Sequence, residues 1–487
     1  MDVTAEAPPP AREPLVPPAP VPPKGPLPLW RFVLQLSKST IGIWGERAYE
    51  MTVFGGKRFG IATLMVNDPE GVRHVAAGDT KGLYHKSITT RRLVRPAAGD
   101  GLVLAEGAEW RKQRRVLAPA FTPNAVNLFI PHFKAAAEVL LSDLSKSPRH
   151  NLALAFQETA LDAACRALFS MPIGGRGRRL AKLARNYVKG PGRPMIWDSL
   201  APSEDFLAFL TPGRALFRRR WLKEVRGIIA ERRAQERDPD RPSDLLDLLL
   251  QSRDPDSKAE MTDEEIRDQV STFVGAGFET TARVLFWTLY LLSLDRAEQQ
   301  RLREEVAAFP PDKIQVLANL QQWPRLRAVL FESMRLYPPA PLFTRVAMAK
   351  DVVAGREVEP GTLVMISPWL IHRHKKLWDR PEAFIPDRFE GKPQDYLTNG
   401  AYIPFGTGPR ICIGATFSLA EASLVLAMIL QRFDVDLDDD RPVTPVSIIT
   451  TMPDIEPWFR VKPLPPAQPV GPARPAPGAG IRSSPSS

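Results

Sequence analysis

Cysteine is scarce in this chain of 487 residues: there are two, Cys165 and Cys412. Two thiols exclude a disulfide scaffold and an iron–sulfur cluster held by the chain's own ligands, and they suit a reducing cytoplasm. Long apolar runs are also missing. None reaches the ~20 residues of a membrane-spanning helix, and the first residues lack a basic-then-apolar leader. The expectation is a soluble, cytoplasmic protein with no transmembrane anchor. Histidine numbers six, and the pair His372 and His374 has no third ligand at a sensible spacing, which points to a structural or surface role rather than a metal site. The net charge of +10 is not gathered into one basic stripe interleaved with aromatics. It falls in short clusters at 110–115, 176–179 and 217–221, most of them readable as solvated helix faces, and no nucleic-acid partner is expected.

Proline is plentiful, with 50 residues, and it is concentrated at the two ends. Residues 5–28 and the stretch after Pro463 have compositions that cannot offset ordering entropy. The expected organisation is therefore a disordered proline-rich segment 1–28, one folded domain 29–462, and a disordered tail 463–487. With 44% hydrophobic residues, the middle can bury a substantial core. Periodicity supports helix over most of 125–335 and over 414–433.

The most informative stretch is 405–414, FGTGPRICIG, which delivers Cys412 to the start of an apolar helix. Thiolate is the metal-ligating form, and Arg410 together with a helix N-terminus favours it. Gly406, Gly408 and Gly414 permit a tight loop lying against a flat ligand. Cys165, inside the helical run LDAACRALF, reads instead as ordinary core. The loop resembles the haem-binding signature Phe-x-x-Gly-x-Arg-x-Cys-x-Gly of the cytochrome P450 superfamily at Phe405, Gly408, Arg410, Cys412 and Gly414. The resemblance implies a haem b (iron protoporphyrin IX) ligated by Cys412, Phe405 packed near the sulfur, and Arg410 on a propionate. Thiolate ligation favours O–O cleavage.

Three further segments agree with it. In WRKQRR, Trp110 and Arg114 stand four apart on one helical face and resemble the family's Trp-x-x-x-Arg pair on a haem propionate. Arg345 matches a second propionate position. The run 265–294 is too apolar for a surface helix; Phe273, Ala276, Gly277 and Thr280 share a face by spacing, and Thr280 can bond back to a carbonyl and bend the helix. A bland core helix explains that segment alone equally well. Its AGFETT run resembles the family's oxygen-side helix, in which Thr280 stands beside bound oxygen and Glu279 is the acid of a proton-delivering acid–alcohol pair. Glu332 and Arg335, an unremarkable surface pair by themselves, resemble with Arg388 the family's buried Glu–Arg–Arg cluster supporting the thiolate loop.

The fold implied is mainly α, a triangular helical prism with a minor β-sheet region; residues 347–373, with β-branched runs between Gly and Pro-Gly turns, suggest a small antiparallel sheet. The substrate would lie among Phe273, Ala276, Gly277 and Leu342, with residues 84–105 and a lid at 190–215 completing the walls. The implied activity is that of a soluble, bacterial-type monooxygenase acting on a small hydrophobic molecule, fed electrons by a separate ferredoxin or flavodoxin and its NAD(P)H reductase. Rival readings are a peroxide-using peroxygenase and a haem sensor or carrier that never turns over.

Overall fold

The computed structural model describes residues 13–25, 27–58, 60–172, 174–195, 197–198, 201, 203–206, 208–234, 244–251, 253, 260–391 and 399–465. Helices dominate. In chain order they are α1 (Leu29–Lys38), α2 (Pro69–Thr80), α3 (Ile88–Ala98), α4 (Gly107–Leu117), α5 (Pro123–Leu144), α6 (Leu152–Phe169), α7 (Gly174–Lys189), α8 (Pro212–Ala234), α9 (Leu245–Gln251), α10 (Asp263–Leu294), α11 (Arg296–Ala308), α12 (Pro324–Leu336), α13 (Pro368–Ile371) and α14 (Ala415–Arg432).

The longest, α10, has 32 residues, which at 1.5 Å per residue spans about 48 Å. A capping box starts it: the Glu265 amide donates to Thr262 Oγ1 at 3.2 Å and the Thr262 amide to a Glu265 carboxylate oxygen at 2.7 Å, satisfying two donors that would otherwise be orphaned. From Val284 to Leu292 every side chain is buried, so this part of the helix has no solvent face; α10 packs on α6, α3, α12 and α14. Trp287 stacks on Tyr337 with centroids 4.1 Å apart, and the Trp287 indole donates to the Thr451 carbonyl at 3.0 Å. By composition α14 is long and apolar enough to cross a membrane, but most of it is buried inside the molecule, and its Phe417 closes an aromatic cluster with Phe121, Phe129 and Phe133.

The antiparallel pairing expected over 347–373 is present, Asp351–Val353 with Arg356–Val358 and Leu363–Ile366 with Phe343–Ala347, but the sheet region extends well beyond it. β1 (Val53–Arg58), β2 (Ile61–Val66), β3 (Tyr84–Lys86), β5 (Phe343–Ala347) and β8 (Leu363–Ile366), the last two separated by β6 (Asp351–Val353) and β7 (Arg356–Val358) and β5 preceded by the short β4 (Arg149–His150), form one five-stranded sheet in the order β1-β2-β8-β5-β3. β2 and β8 run parallel, Thr63 opposite Leu363. Pairing across some three hundred residues leaves no local trace in sequence.

The segment before Leu29 also departs from expectation. Its described residues form no regular element, yet they are packed: Pro17 is buried, the Leu15 carbonyl accepts from the Phe384 amide at 2.8 Å, and the Pro18 carbonyl accepts from the Tyr337 hydroxyl at 2.9 Å. Prolines lack N–H groups, so a proline-rich strand can join a core only as an acceptor, and here buried donors take it up. At the other end, after β12 (Phe459–Pro463), the Leu464 amide donates to the Arg432 carbonyl at 2.8 Å. Residues 466–487, most of the expected tail, lie outside the described residues.

Candidate active site

The loop 405–414 is shaped by its own backbone. The Cys412 amide donates to the Phe405 carbonyl at 2.9 Å, and the Ser418 amide to Gly414 at 2.8 Å as α14 begins. Gly408 has a φ of +69°, and a Cβ there would sit 3.1 Å from that of Ala76 on α2, so the turn and the close helix both require glycine. Gly414 serves differently: its amide hydrogen-bonds the Cys412 sulfur.

Burial pushes the Cys412 thiol up from its usual value, opposed by the Gly414 amide and the positive charge of Arg114. The expectation that Arg410 stabilises the thiolate is corrected here. Arg114 is the cation facing the sulfur, with its own guanidinium donating to the Ile411 carbonyl at 3.0 Å, while Arg410 turns away. Although desolvated, Cys412 is solvent-accessible. So is Ala276, midway along the otherwise buried α10. Accessible atoms at such depth are walls of an internal space. Thr280 lies on the same patch, its hydroxyl donating to the Ala276 carbonyl at 2.8 Å, as the spacing predicts. The neighbouring Thr281 hydroxyl is 3.0 Å from that of Ser418 on α14, tying the patch to the thiolate loop.

The remaining predicted residues divide. Phe405 is half-buried against the core. Trp110 is buried with the Arg410 guanidinium 4.5 Å over its ring. Arg345 and Arg410 do come together, but around Asp79, which pairs with both, and Arg410 also donates to Glu106 at 2.6 Å. Phe273 does not stand on the open patch; it stacks on Phe121 with centroids 5.2 Å apart. Gly277 faces Ala164 of α6, and a Cβ there would meet only ordinary contact at 3.9 Å.

Glu279 is the clearest departure among the predicted catalytic residues. One residue on from the Ala276–Thr280 face means a 100° turn, and its carboxylate points to α6, taking Arg283 at 2.6 Å, Gln157 at 2.7 Å and Thr450 at 3.3 Å. With Gln157, Arg185, Lys189 and Glu456 it lines a separate cavity of about 20 Å³. Glu279 and Thr280 are thus adjacent in sequence and apart in space.

The structure brings Glu332, Arg335 and Arg388 together. Arg335 donates twice to Glu332, at 2.7 and 2.8 Å, with neither side chain exposed, and Arg388 lies 3.5 Å away. Arg335 then reaches the carbonyls of His372, Pro381 and Ala383. His372, one of the two histidines expected in a structural or surface role, is buried, and its Nε2 accepts from the Ile403 amide at 2.8 Å, two residues before Phe405. Burial holds its imidazole well below the usual range. No group of three or more metal-ligating side chains occurs among the described residues.

A cavity of about 1010 Å³ opens beside this region. It is lined by Phe32, Trp44, Phe54, Leu93, Trp197 and Leu342 among others. Of the four residues expected to wall the substrate, only Leu342 lines it. Its roof is ionic. Asp198, fully buried, takes Arg92 at 2.9 Å and Arg214 at 2.6 Å, joining α3 to the start of α8.

The donor set fits a haem: one desolvated but accessible thiol, an open small-residue patch on α10 whose neighbour Thr281 meets the helix that follows the thiolate loop, and a cluster of cations suited to carboxylates. The comparisons agree. Residues 21–454 match the family description Cytochrome P450. Human "Cytochrome P450 4F8" is 32% identical over 427 residues, covering 81% of this chain and 80% of that protein. Dog "Cytochrome P450 3A12" is 30% identical over 387 residues, covering 76% of each. "Protein LUTEIN DEFICIENT 5, chloroplastic" of Arabidopsis thaliana is 28% identical over 423 residues, 82% of this chain and 68% of its own length.

Proposed function

The chain belongs to the cytochrome P450 family of haem-thiolate monooxygenases, and from that premise we propose that it hydroxylates or epoxidises a hydrophobic organic molecule. One atom of O2 enters a C–H bond or double bond; the other leaves as water with two electrons and two protons. The observation that carries this is the accessible Cys412 thiol just before α14, a helix that α10 meets through Thr281 and Ser418 next to its open Ala276–Thr280 patch.

When bound, haem supplies an iron whose thiolate ligand favours O–O cleavage. Cys412 would hold it, Phe405 pack beside the sulfur, and Gly414 and Arg114 steady the sulfur's negative charge. Trp110, Arg345 and Arg410 would form the propionate pocket. Thr280 supplies a hydroxyl on the opposite side. For Glu279 to pass protons toward Thr280, its carboxylate must first loosen from Arg283 and Gln157. The apolar lining of the large cavity supports a hydrophobic substrate.

Electrons come from a separate donor, which we read as a ferredoxin or flavodoxin with its NAD(P)H reductase, in a soluble, bacterial-type, cytoplasmic enzyme; the two free cysteines suit a reducing compartment. Reconstitution with a ferredoxin system against a diflavin reductase discriminates the donors. The haem assignment is tested by the spectrum of the reduced carbon monoxide complex: Cys412→Ala loses its thiolate signature, and retention would overturn the ligand. Thr280→Ala uncouples oxygen consumption from product. The ion pair holding Glu279 favours one rival, a peroxygenase, which needs no proton from it; product formed as fast with hydrogen peroxide as with the electron-transfer chain would establish that rival.

A further inference from the structure

The two arginines expected to meet haem propionates are already neutralised by the protein. Asp79 is 1% exposed on its side chain and pairs with both Arg345 and Arg410. Glu106 takes Arg410 at 2.6 Å, the Lys86 amide at 2.8 Å and the Lys86 ammonium at 3.4 Å. These positions are costly to their own elements. Asp79 is the penultimate residue of α2, where the negative end of the helix disfavours an acid. Lys86 on β3 stands directly opposite Arg345 on β5, a like-charge pair that destabilises a sheet. Moreover α2, which carries Asp79, lies on the thiolate loop itself through the contact of Ala76 with Gly408.

We propose that Asp79 and Glu106 are positioning residues of the propionate pocket, holding Arg345, Arg410 and Lys86 in place and limiting the positive charge that meets haem's carboxylates. Lys86, Arg345 and Arg410 against Asp79 and Glu106 leave one positive charge, while Arg114 faces the Cys412 sulfur. The buried Asp79 carboxylate would otherwise compete with the propionates; instead it keeps two guanidinium groups aligned that would repel each other without it. The inference rests on the haem-binding reading above.

The test uses the full chain loaded with haem and follows haem transfer to excess apomyoglobin, with the midpoint potential of the iron as a second readout. Asp79→Asn should accelerate transfer about tenfold or more, as expected when one partner of a buried charge cluster is removed, and raise the potential by deleting a nearby negative charge. Asp79→Glu should restore both in part. Glu106→Gln, at a more exposed position, should move both in the same direction by less, and it carries the test if the Asp79 variant does not fold. Transfer within twofold of the parent, or slower than the parent, would overturn the proposal, the second result showing that Asp79 competes with the propionates. A parent that takes up no haem overturns the underlying reading, and this with it.

Discussion

The thiolate side of the molecule and the roof of its large cavity are held by different kinds of contact. Around Cys412 the constraints are backbone hydrogen bonds, a glycine wedged against α2, and the chain from Glu332 through Arg335 to the His372 carbonyl, with His372 in turn taking the Ile403 amide. Over the cavity, α3 meets the segment around Asp198 through arginines: Arg92 and Arg214 on Asp198, Arg91 and Arg95 on Glu204. The first arrangement has one geometry. The second is a set of ion pairs between separate elements, buried at Asp198 and partly exposed at Glu204. The thiolate loop and the cavity roof are therefore held by separate parts.

The sharpest way to break that contrast is Glu332→Gln. It leaves Arg335 buried without its carboxylate and should cost about 3–5 kcal/mol, read from urea unfolding; a loss under about 1 kcal/mol would mean the thiolate side is no more rigid than the roof. Lys86 gives a pH signature on the same side. Burial and the neighbouring Arg410 and Arg345 lower its pKa to about 8 from 10.5, against the opposing pull of Glu106 and Asp79. Between those values the unfolded chain binds the extra proton, so this lysine's contribution makes stability rise with pH, by about 3.4 kcal/mol at most. Comparing the parent with Lys86→Met from pH 7 to 10.5 isolates the slope; equal slopes would remove the prediction.

At the roof, Asp198→Asn should cost about 1–3 kcal/mol while leaving the reduced carbon monoxide spectrum intact. Ligand association, followed by the haem absorption shift in stopped flow, should quicken. Association rates that match the parent would mean the ion pairs are not what holds the roof. Burial raises the Asp198 carboxyl, but Arg214, the Met195 amide and Arg92 outweigh it and set it below the usual aspartate range. Its stabilisation is present above pH 3.8 and is lost as pH falls through the lowered value. As a reference for both regions, Lys146→Ala, breaking an exposed pair with Asp143, should change stability by about 0.2–1 kcal/mol.

The same division decides what could be read from sequence. Cys412, Gly408 and the Glu332–Arg335 pair sit in short motifs whose spacing is the geometry, and α10 is long and apolar enough to reveal itself. Glu279 was placed beside Thr280 by resemblance, although Arg283 four residues on was a visible helical partner. Asp79 and Glu106 had no motif, and only an acid at the end of α2 hinted at a distant cation. Phe273 and Gly277 shared the spacing of the open face but not its contacts, because packing against Phe121 and Ala164 decides where a helix face points. The β2–β8 pairing and the arginines of the roof join residues far apart in the chain, which no local pattern encodes.

The docked leader bears on the order in which the molecule is made. Pro18 leaves the ribosome early, but the phenol that binds it is 319 residues later. This N-terminal segment must therefore wait, its carbonyls solvated by water, until α12 has been synthesised and placed, and it docks as a late seam. Protease sensitivity confined to that seam in nascent chains, vanishing once Tyr337 and Phe384 have emerged, would time the last step of folding.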